Sequence, residues 1–234
     1  MFTFQSKVRY SELDEEGKLS VPSIVNYFQD CSTFQSESLG VGIEYLEKSK
    51  KIWMLSHWHI LFENEAKLCD EIQIGTWAYH FDKTFGYRNF MINRGEERIA
   101  SASSKWVLYG VNEGRPIKIT EADAKMYGEE AQLEMGTTDV RLRLAKERKE
   151  EEPFVVRRYH IDTNGHVNNG KYIQMAMEFI PEDFKIKEMV VEYKKQAALG
   201  ATILPCTYKQ EDWLVVALLE QATKSCYALI GFRK

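Results

Sequence analysis

One stretch of this chain is written twice. Leu13-Asp14-Glu15-Glu16-Gly17-Lys18-Leu19 aligns with Ile161-Asp162-Thr163-Asn164-Gly165-His166-Val167 at an offset of 148 residues. Leu68, Ile72 and Thr76 align with Leu199, Ile203 and Thr207 at an offset of 131. An Arg-Tyr pair stands upstream of each copy (Arg9-Tyr10 and Arg158-Tyr159), and an apolar helix pattern follows each. The 17 residues lost between the two offsets assign an insertion to residues 40–56 of the first copy. The same order of elements on both sides makes duplication the explanation, and two units of one architecture the expectation.

Each copy reads as a helix followed by long strands. Phe2, Phe4, Ser6 and Val8 alternate with other residues as an opening strand. Ser20 is placed to cap a helix carrying Pro22 in its first turn and Val21, Ile24, Val25 and Phe28 on one face, with Gly40 as its stop. Residues 52–62, 71–79, 86–93 and 99–111 are rich in β-branched and aromatic side chains and predict strands, with a hairpin turn at Asn93-Arg94-Gly95-Glu96. After Pro153 the pattern restarts, with a helix over 168–180 ending at Pro181 and strands over 188–194, 201–208, 213–220 and 225–232. A helix followed by a run of strands favours an α+β fold with the helix against a curved antiparallel sheet. The expected organisation is a first domain over 1–135, a charged linker over 136–152 and a second domain over 153–234; Thr120 is positioned to cap a short helix before the linker.

Composition removes several function classes. A net charge of −4 and a pI near 5.8 argue against a nucleic-acid partner. Cys31, Cys69, Cys206 and Cys226 are scattered without a CxxC pair, so neither a zinc site nor a disulfide scaffold is expected, and no metal or cofactor is called for. The opening residues turn polar at once, unlike a signal peptide, and no stretch approaches the ~18 apolar residues of a membrane helix. These features predict a cytoplasmic protein with no membrane insertion.

The second copy carries what the first lacks. Asp162, Asn164 and His166 stand at i, i+2, i+4, where the first copy has Asp14, Glu16 and Lys18. In an extended segment that spacing turns all three side chains to one face. A carboxylate orients an imidazole or serves as base toward water, and Asn and His donate to charge developing on a thioester carbonyl. The following helix start, Val167, Asn168 and Asn169, offers backbone N–H groups at the positive end of a helix dipole. The same residue types also make an Asx-turn and an N-cap with an incidental histidine, and both readings stay open on the motif alone.

A longer run decides between them. Arg158-Tyr-His-Ile-Asp162-Thr-Asn164-Gly-His166-Val-Asn-Asn169-Gly-Lys-Tyr172-Ile, closing in Glu178 and Pro181, resembles the acyl-acyl carrier protein thioesterases of plant plastids and bacteria. The resemblance extends along nearly the whole chain. It includes the helix Val21–Ser38, the strand around Gly75-Thr76-Trp77, the run Ala102-Ser103-Ser104-Lys105-Trp106-Val107 and the strand Val191-Glu192-Tyr193-Lys194-Lys195. It implies two tandem hotdog domains, each a long helix wrapped by a curved antiparallel sheet. The first would hold the acyl chain and the second would supply the chemistry. It implies hydrolysis of fatty acyl-acyl carrier protein in fatty acid biosynthesis, with Asp162, Asn164 and His166 as catalytic positions. An acyl-CoA thioesterase and a non-catalytic acyl-binding module are the alternatives. One departure stands out. Where the family usually has Glu and often Cys after the strand, this chain has Gln196 and Ala197. Either Gln196 positions a water or Asp162 is the base.

Further candidates accompany this reading. Trp53, Met54, Trp58 and Trp77 either line an acyl tunnel or pack a core. His57, His59 and His80 have no ligand-like company and are expected to have no role. Arg141, Arg143, Lys171, Lys194 and Lys195 are candidate docking residues for an acidic carrier protein, although the basic residues from 141 to 149 equally fit a solvated linker. A homodimer is left open.

Overall fold

The computed structural model describes residues 1–136, 140–210 and 212–234. The chain divides into two compact units, Met1–Ser56 with Ile60–Thr138, and His57–His59 with Asp139–Lys234.

Unit 1 contains strand β1 (Phe2–Lys7), helices α1 (Val21–Ser38) and α2 (Ile43–Ser49), and strands β2 (Lys51–Phe62), β3 (Glu71–Asp82), β4 (Phe85–Arg94), β5 (Glu97–Gly110) and β6 (Arg115–Pro116). Helix α3 (Glu121–Tyr127) follows, with Thr120 at its N-cap. Strand order runs β1-β3-β4-β5-β2, with β6 on β5; residues 57–59 of β2 group with unit 2. Helix α1 begins where the Ser20 hydroxyl accepts from the Ser23 N–H at 3.4 Å. It buries Ile24, Val25, Tyr27, Phe28, Cys31, Ser32 and Gln35, one face at helical spacing. That face packs against β3 and β4, with the Phe28 and Phe90 ring centres 5.2 Å apart. Gly40, at φ +72°, follows the helix. The insertion assigned to 40–56 holds α2, which the sequence pattern does not reveal. Its start is held by the Glu37 carboxylate accepting from the Ile43 N–H at 2.8 Å.

Unit 2 contains β7 (Lys149–Glu150), β8 (Phe154–Val155), α4 (Asn169–Met177), β9 (Glu188–Tyr193), β10 (Thr202–Lys209), β11 (Trp213–Glu220) and β12 (Cys226–Arg233). The order is β9-β12-β11-β10-β7, with β8 also on β10. Helix α4 packs on β11 and β12 and buries Gly170, Tyr172, Ile173, Met175 and Ala176. It stops three residues short of the expected 180. Phe179 and Ile180 donate to the carbonyls of Ala176 and Met177, which is the tighter winding of a closing turn before Pro181.

The stretch expected as a linker, 136–152, includes 137–139, which lie outside the described residues. Its charged residues from 141 to 150 are exposed, and two apolar side chains anchor it. Leu142 and Ala145 pack on a buried cluster that includes Leu204, Cys206, Val215 and Ala217, and the Leu142 N–H donates to Glu192 Oε1 at 3.0 Å. Upstream, 130–135 covers unit 1. The Trp77 indole donates to the Ala131 carbonyl at 2.8 Å, and the Leu133 N–H donates to Asn89 Oδ1 at 2.9 Å. Charge density hid these few apolar anchors.

The duplication is written in the backbone hydrogen bonds. Asp14 N–H to Lys18, Gly17 N–H to Asp14, Leu19 N–H to Ala66 and Ser20 N–H to Glu12 recur in unit 2. There they are Asp162 to His166, Gly165 to Asp162, Val167 to Ala197 and Asn168 to His160. Both sequence offsets are reproduced. The Arg-Tyr pairs are one residue out of step, however, since the cap facing Glu12 is Arg9 while the cap facing His160 is Arg157.

Candidate active site in the second unit

The loop that carries Asp162, Asn164 and His166 is not an extended segment. Ile161 pairs with Val167, the Asp162 N–H donates to the His166 carbonyl at 2.9 Å, and the chain reverses through 163–165. Gly165 makes the reversal at φ +77°, a left-handed conformation that costs L side chains roughly 1–2 kcal/mol. The Asp162 Oδ1 accepts from the Asn164 N–H at 2.8 Å, an Asx-turn. Asp162 and His166 therefore face one another across the base of the loop, while Asn164 is exposed at its tip. The one-face arrangement expected of i, i+2, i+4 is replaced by this turn.

The turn reading of the motif holds for Asp162 Oδ1. The Asx-turn is structural, because Asp14 Oδ1 makes the same bond to the Glu16 N–H at 3.0 Å in the first copy. Asp162 Oδ2 has no partner among the described residues. His166 Nδ1 is enclosed and has no hydrogen-bond partner among the described residues.

The helix start contributes less than expected. The Val167 N–H is taken by the Ala197 carbonyl and the Asn168 N–H by the His160 carbonyl, both at 2.9 Å. Asn168 is the N-cap, its Oδ1 accepting from the Gly170 N–H at 2.8 Å. The Asn169 N–H alone of the three candidates lacks a partner among the described residues.

Gln196 is exposed, next to Ala197, whose carbonyl holds Val167. Tyr172 fixes that segment, its hydroxyl accepting from the Ala197 N–H at 2.8 Å. Burial pushes the Tyr172 phenol up to about 12. Tyr193 donates to the Asn169 carbonyl at 2.9 Å and packs edge-on against Tyr172, ring centres 5.9 Å apart. Neither tyrosine stands out in the sequence as a supporting residue, although both belong to matched runs. His160 accepts from the Arg157 N–H at 2.9 Å; burial, then Lys171 and Arg157, hold its pKa below the ordinary value.

The remaining candidates are dispersed. The tryptophans form no single lining. Trp53 packs with Phe81 and Tyr127, Trp77 is tied to Ala131, and Trp58 belongs to unit 2. His80 stacks on Tyr87. His59 corrects the expectation of no company, since its Nε2 lies 2.8 Å from Glu188 Oε1, both side chains buried, and Arg233 pairs with the other carboxylate oxygen. Of the docking candidates, Lys194 pairs with Glu192, Lys195 with Glu220 at 2.9 Å, and Lys171 reaches Gln174 at 2.9 Å. The Arg143 carbonyl accepts from Gln210, and Arg141 and Arg143 are exposed. Among the described residues no group of three or more His, Cys, Asp or Glu is arranged to hold a metal, and no helix is long and apolar enough to cross a membrane.

Residues 1–127 match the family model for the acyl-ACP thioesterase N-terminal domain, and residues 144–226 match that for its C-terminal domain. The chain belongs to the acyl-ACP thioesterase family. A palmitoyl-acyl carrier protein thioesterase of Arabidopsis thaliana chloroplasts is 21% identical over 226 residues, covering 88% of this chain and 55% of that protein. The chain thus spans about half the length of the curated relatives it matches. An acyl-ACP thioesterase structure from Bacteroides thetaiotaomicron superposes with a TM-score of 0.86 at 20% identity, covering 99% of this chain and 96% of that one. The 12:0-ACP thioesterase of Umbellularia californica gives 0.83 at 16% identity, with coverage of 99% and 96%. The thioesterase fold is therefore an α+β tandem of two hotdog domains, as the sequence predicted.

Proposed function

We propose that this chain hydrolyses the thioester joining a fatty acyl group to acyl carrier protein, releasing free fatty acid and carrier protein in fatty acid biosynthesis. The observation that carries the reading is the difference between two loops of one shape. The loop in unit 2 has Asn164 and His166 where the loop in unit 1 has Glu16 and Lys18. Family membership supplies the reaction class.

In this reading Asp162 Oδ2 takes a proton from water as the water oxygen attacks the acyl carbon. His166 Nε2, the Asn164 amide and the Asn169 N–H donate to the oxyanion that forms. Collapse of the tetrahedral intermediate breaks the C–S bond, and the sulfur leaves with the proton held on Asp162. Gln196 orients the water without accepting its proton. Unit 1 receives the alkyl chain, and residues 153–234 perform the chemistry. The four cysteines, all free thiols, suit the reducing cytoplasm expected from the sequence.

Turnover of one acyl chain presented on carrier protein and on coenzyme A tests this. A higher kcat/KM on carrier protein is expected. Equal or greater turnover on coenzyme A would make the chain an acyl-CoA thioesterase, and no turnover on either would leave an acyl-binding module.

A further inference from the structure

Two phenol hydroxyls brace the loop of unit 2, and its twin in unit 1 forms without them. Tyr172, in the first turn of α4 and 2% exposed, accepts from the Ala197 N–H at 2.8 Å. Tyr193, the last residue of β9, donates to the Asn169 carbonyl at 2.9 Å. The two rings meet edge-on with centres 5.9 Å apart, so they support one another.

By the repeat offsets, the counterpart of Tyr172 is Ile24 and that of Tyr193 is Phe62. Neither has a hydroxyl to give or take. The backbone around them is nevertheless the same. Helix α1 begins at Val21 where α4 begins at Asn169, and β2 ends at Phe62 where β9 ends at Tyr193. The Leu19 N–H reaches the Ala66 carbonyl as the Val167 N–H reaches that of Ala197, and Lys18 bridges Lys67 as His166 bridges Ala198. Loop, helix start and strand exit thus take this form in unit 1 without a phenol at either place. A buried hydroxyl is unfavourable unless it finds a partner, a demand that an apolar side chain does not make. The two phenols therefore serve something that unit 2 alone does.

Each bond ends beside a group assigned to the chemistry. Ala197 directly follows Gln196, and its carbonyl holds the Val167 N–H, next to His166. Asn169 is held from its carbonyl side, which leaves its N–H to the substrate. Tyr172 thus ties the Gln196 segment to the helix, and Tyr193 ties the helix start to the sheet.

We propose that Tyr172 and Tyr193 are positioning residues for thioester hydrolysis, fixing the Gln196 segment and the Asn169 N–H against the loop that carries His166. This rests on the reading of that loop as the catalytic centre. Small displacements of reacting groups lower turnover more than they weaken substrate binding, because the transition state is the less tolerant of the two.

Tyr172→Phe and Tyr193→Phe each remove one oxygen and keep the ring. Thermal melting, with steady-state kinetics on acyl-carrier protein and on a small acyl thioester, tests them. Each variant should melt within about 5 °C of the wild type, the loss expected for one hydrogen bond. On both substrates kcat should fall roughly tenfold, with KM within about twofold of the wild type. A merely structural role would not divide kcat from KM in this way. Wild-type kcat in either folded variant overturns the role of that tyrosine. A loss confined to the carrier-bound substrate, or one carried by KM, overturns the proposal. A variant that fails to fold would make its hydroxyl part of the fold and overturn it equally. Normal wild-type turnover with unaffected variants refutes the positioning role alone. No wild-type turnover on any thioester refutes the thioesterase reading, and this proposal with it.

Discussion

Lys18 Nζ lies 2.7 Å from Glu65 Oε1, and by the two repeat offsets these positions are the counterparts of His166 and Gln196. Lys18 also meets Glu16, the counterpart of Asn164, at 2.6 Å. The first unit therefore holds an ion cluster, Glu16-Lys18-Glu65, on a loop whose twin holds Asn164, His166 and Gln196. In the second unit the His166 backbone pairs with Ala198, two residues past Gln196. The first copy has kept a carboxylate at the place where the second has an amide.

From this follows an expectation for the water-activating group. Asp162→Asn preserves an oxygen to accept from the Asn164 N–H, so the Asx-turn survives, but it removes basicity. Loss of a general base of this kind lowers turnover by ~10²–10⁴-fold. Acyl binding should change little. Gln196→Glu should be neutral or activating, because it returns a carboxylate to the site beside His166. Steady-state kinetics with a direct binding assay separate the two effects. Asp162→Asn with near-full activity would move the base role to His166.

The glycines of the two loops form a matched pair. Gly17 and Gly165 have φ of +76° and +77°, and a Cβ on either meets nothing within 4 Å. Alanine at each should therefore cost only the backbone term, roughly 1–2 kcal/mol, seen in denaturant unfolding. Turnover should fall for Gly165→Ala and hold for Gly17→Ala. Equal effects on turnover would show that the loop of unit 2 has no special part in the chemistry.

Much of the fold was readable because local signals and burial agree. Ser20 and Pro22 set the start of α1, Gly95 turns the β4–β5 hairpin, and β1 alternates half-buried with exposed residues. Helix α2 was missed because its cap is a distant carboxylate, Glu37, rather than a local motif. Asp162, Asn164 and His166 are readable as residue types. Their arrangement is not, since a left-handed glycine and an Asx-turn replace the extended geometry. His59–Glu188 joins residues 129 apart in sequence and leaves no pattern along the chain.

Stability should fall on mild acidification through His59. Burial, outweighing the Glu188 hydrogen bond, holds its pKa below the ordinary 6.5, and its Nδ1 is enclosed without a partner among the described residues. The unfolded chain therefore binds the proton more readily than the folded one. Stability is present above about 6.5 and is lost as pH falls from there toward the depressed folded-state value. His59→Gln, which keeps a donor for Glu188, should flatten the dependence of Tm on pH between 7 and 5. An unchanged slope would assign the acid sensitivity elsewhere.

Carrier docking needs local positive charge, because the chain as a whole is acidic at −4. Lys194 and Lys195 are already matched by Glu192 and Glu220, whereas Lys171 reaches only the neutral Gln174. Charge reversal at Lys171 should thus raise KM for acyl-carrier protein more than reversal at Lys194 or Lys195. It should also weaken the salt dependence and leave a small thioester unaffected. Unchanged KM at all of Arg141, Arg143, Lys171, Lys194 and Lys195 would place the carrier on another surface.

The most direct measurement uses the first unit as the control for the second. Asn164→Glu, His166→Lys and Gln196→Glu together rebuild the Glu16-Lys18-Glu65 cluster on the second loop. The first copy already accommodates that cluster on the same backbone, so melting should shift by no more than about 1 kcal/mol equivalent. Release of free fatty acid from acyl-carrier protein should fall at least ~100-fold, the cost of losing even one oxyanion donor. A folded triple variant that retains wild-type turnover would contradict the assignment of this loop as the catalytic centre.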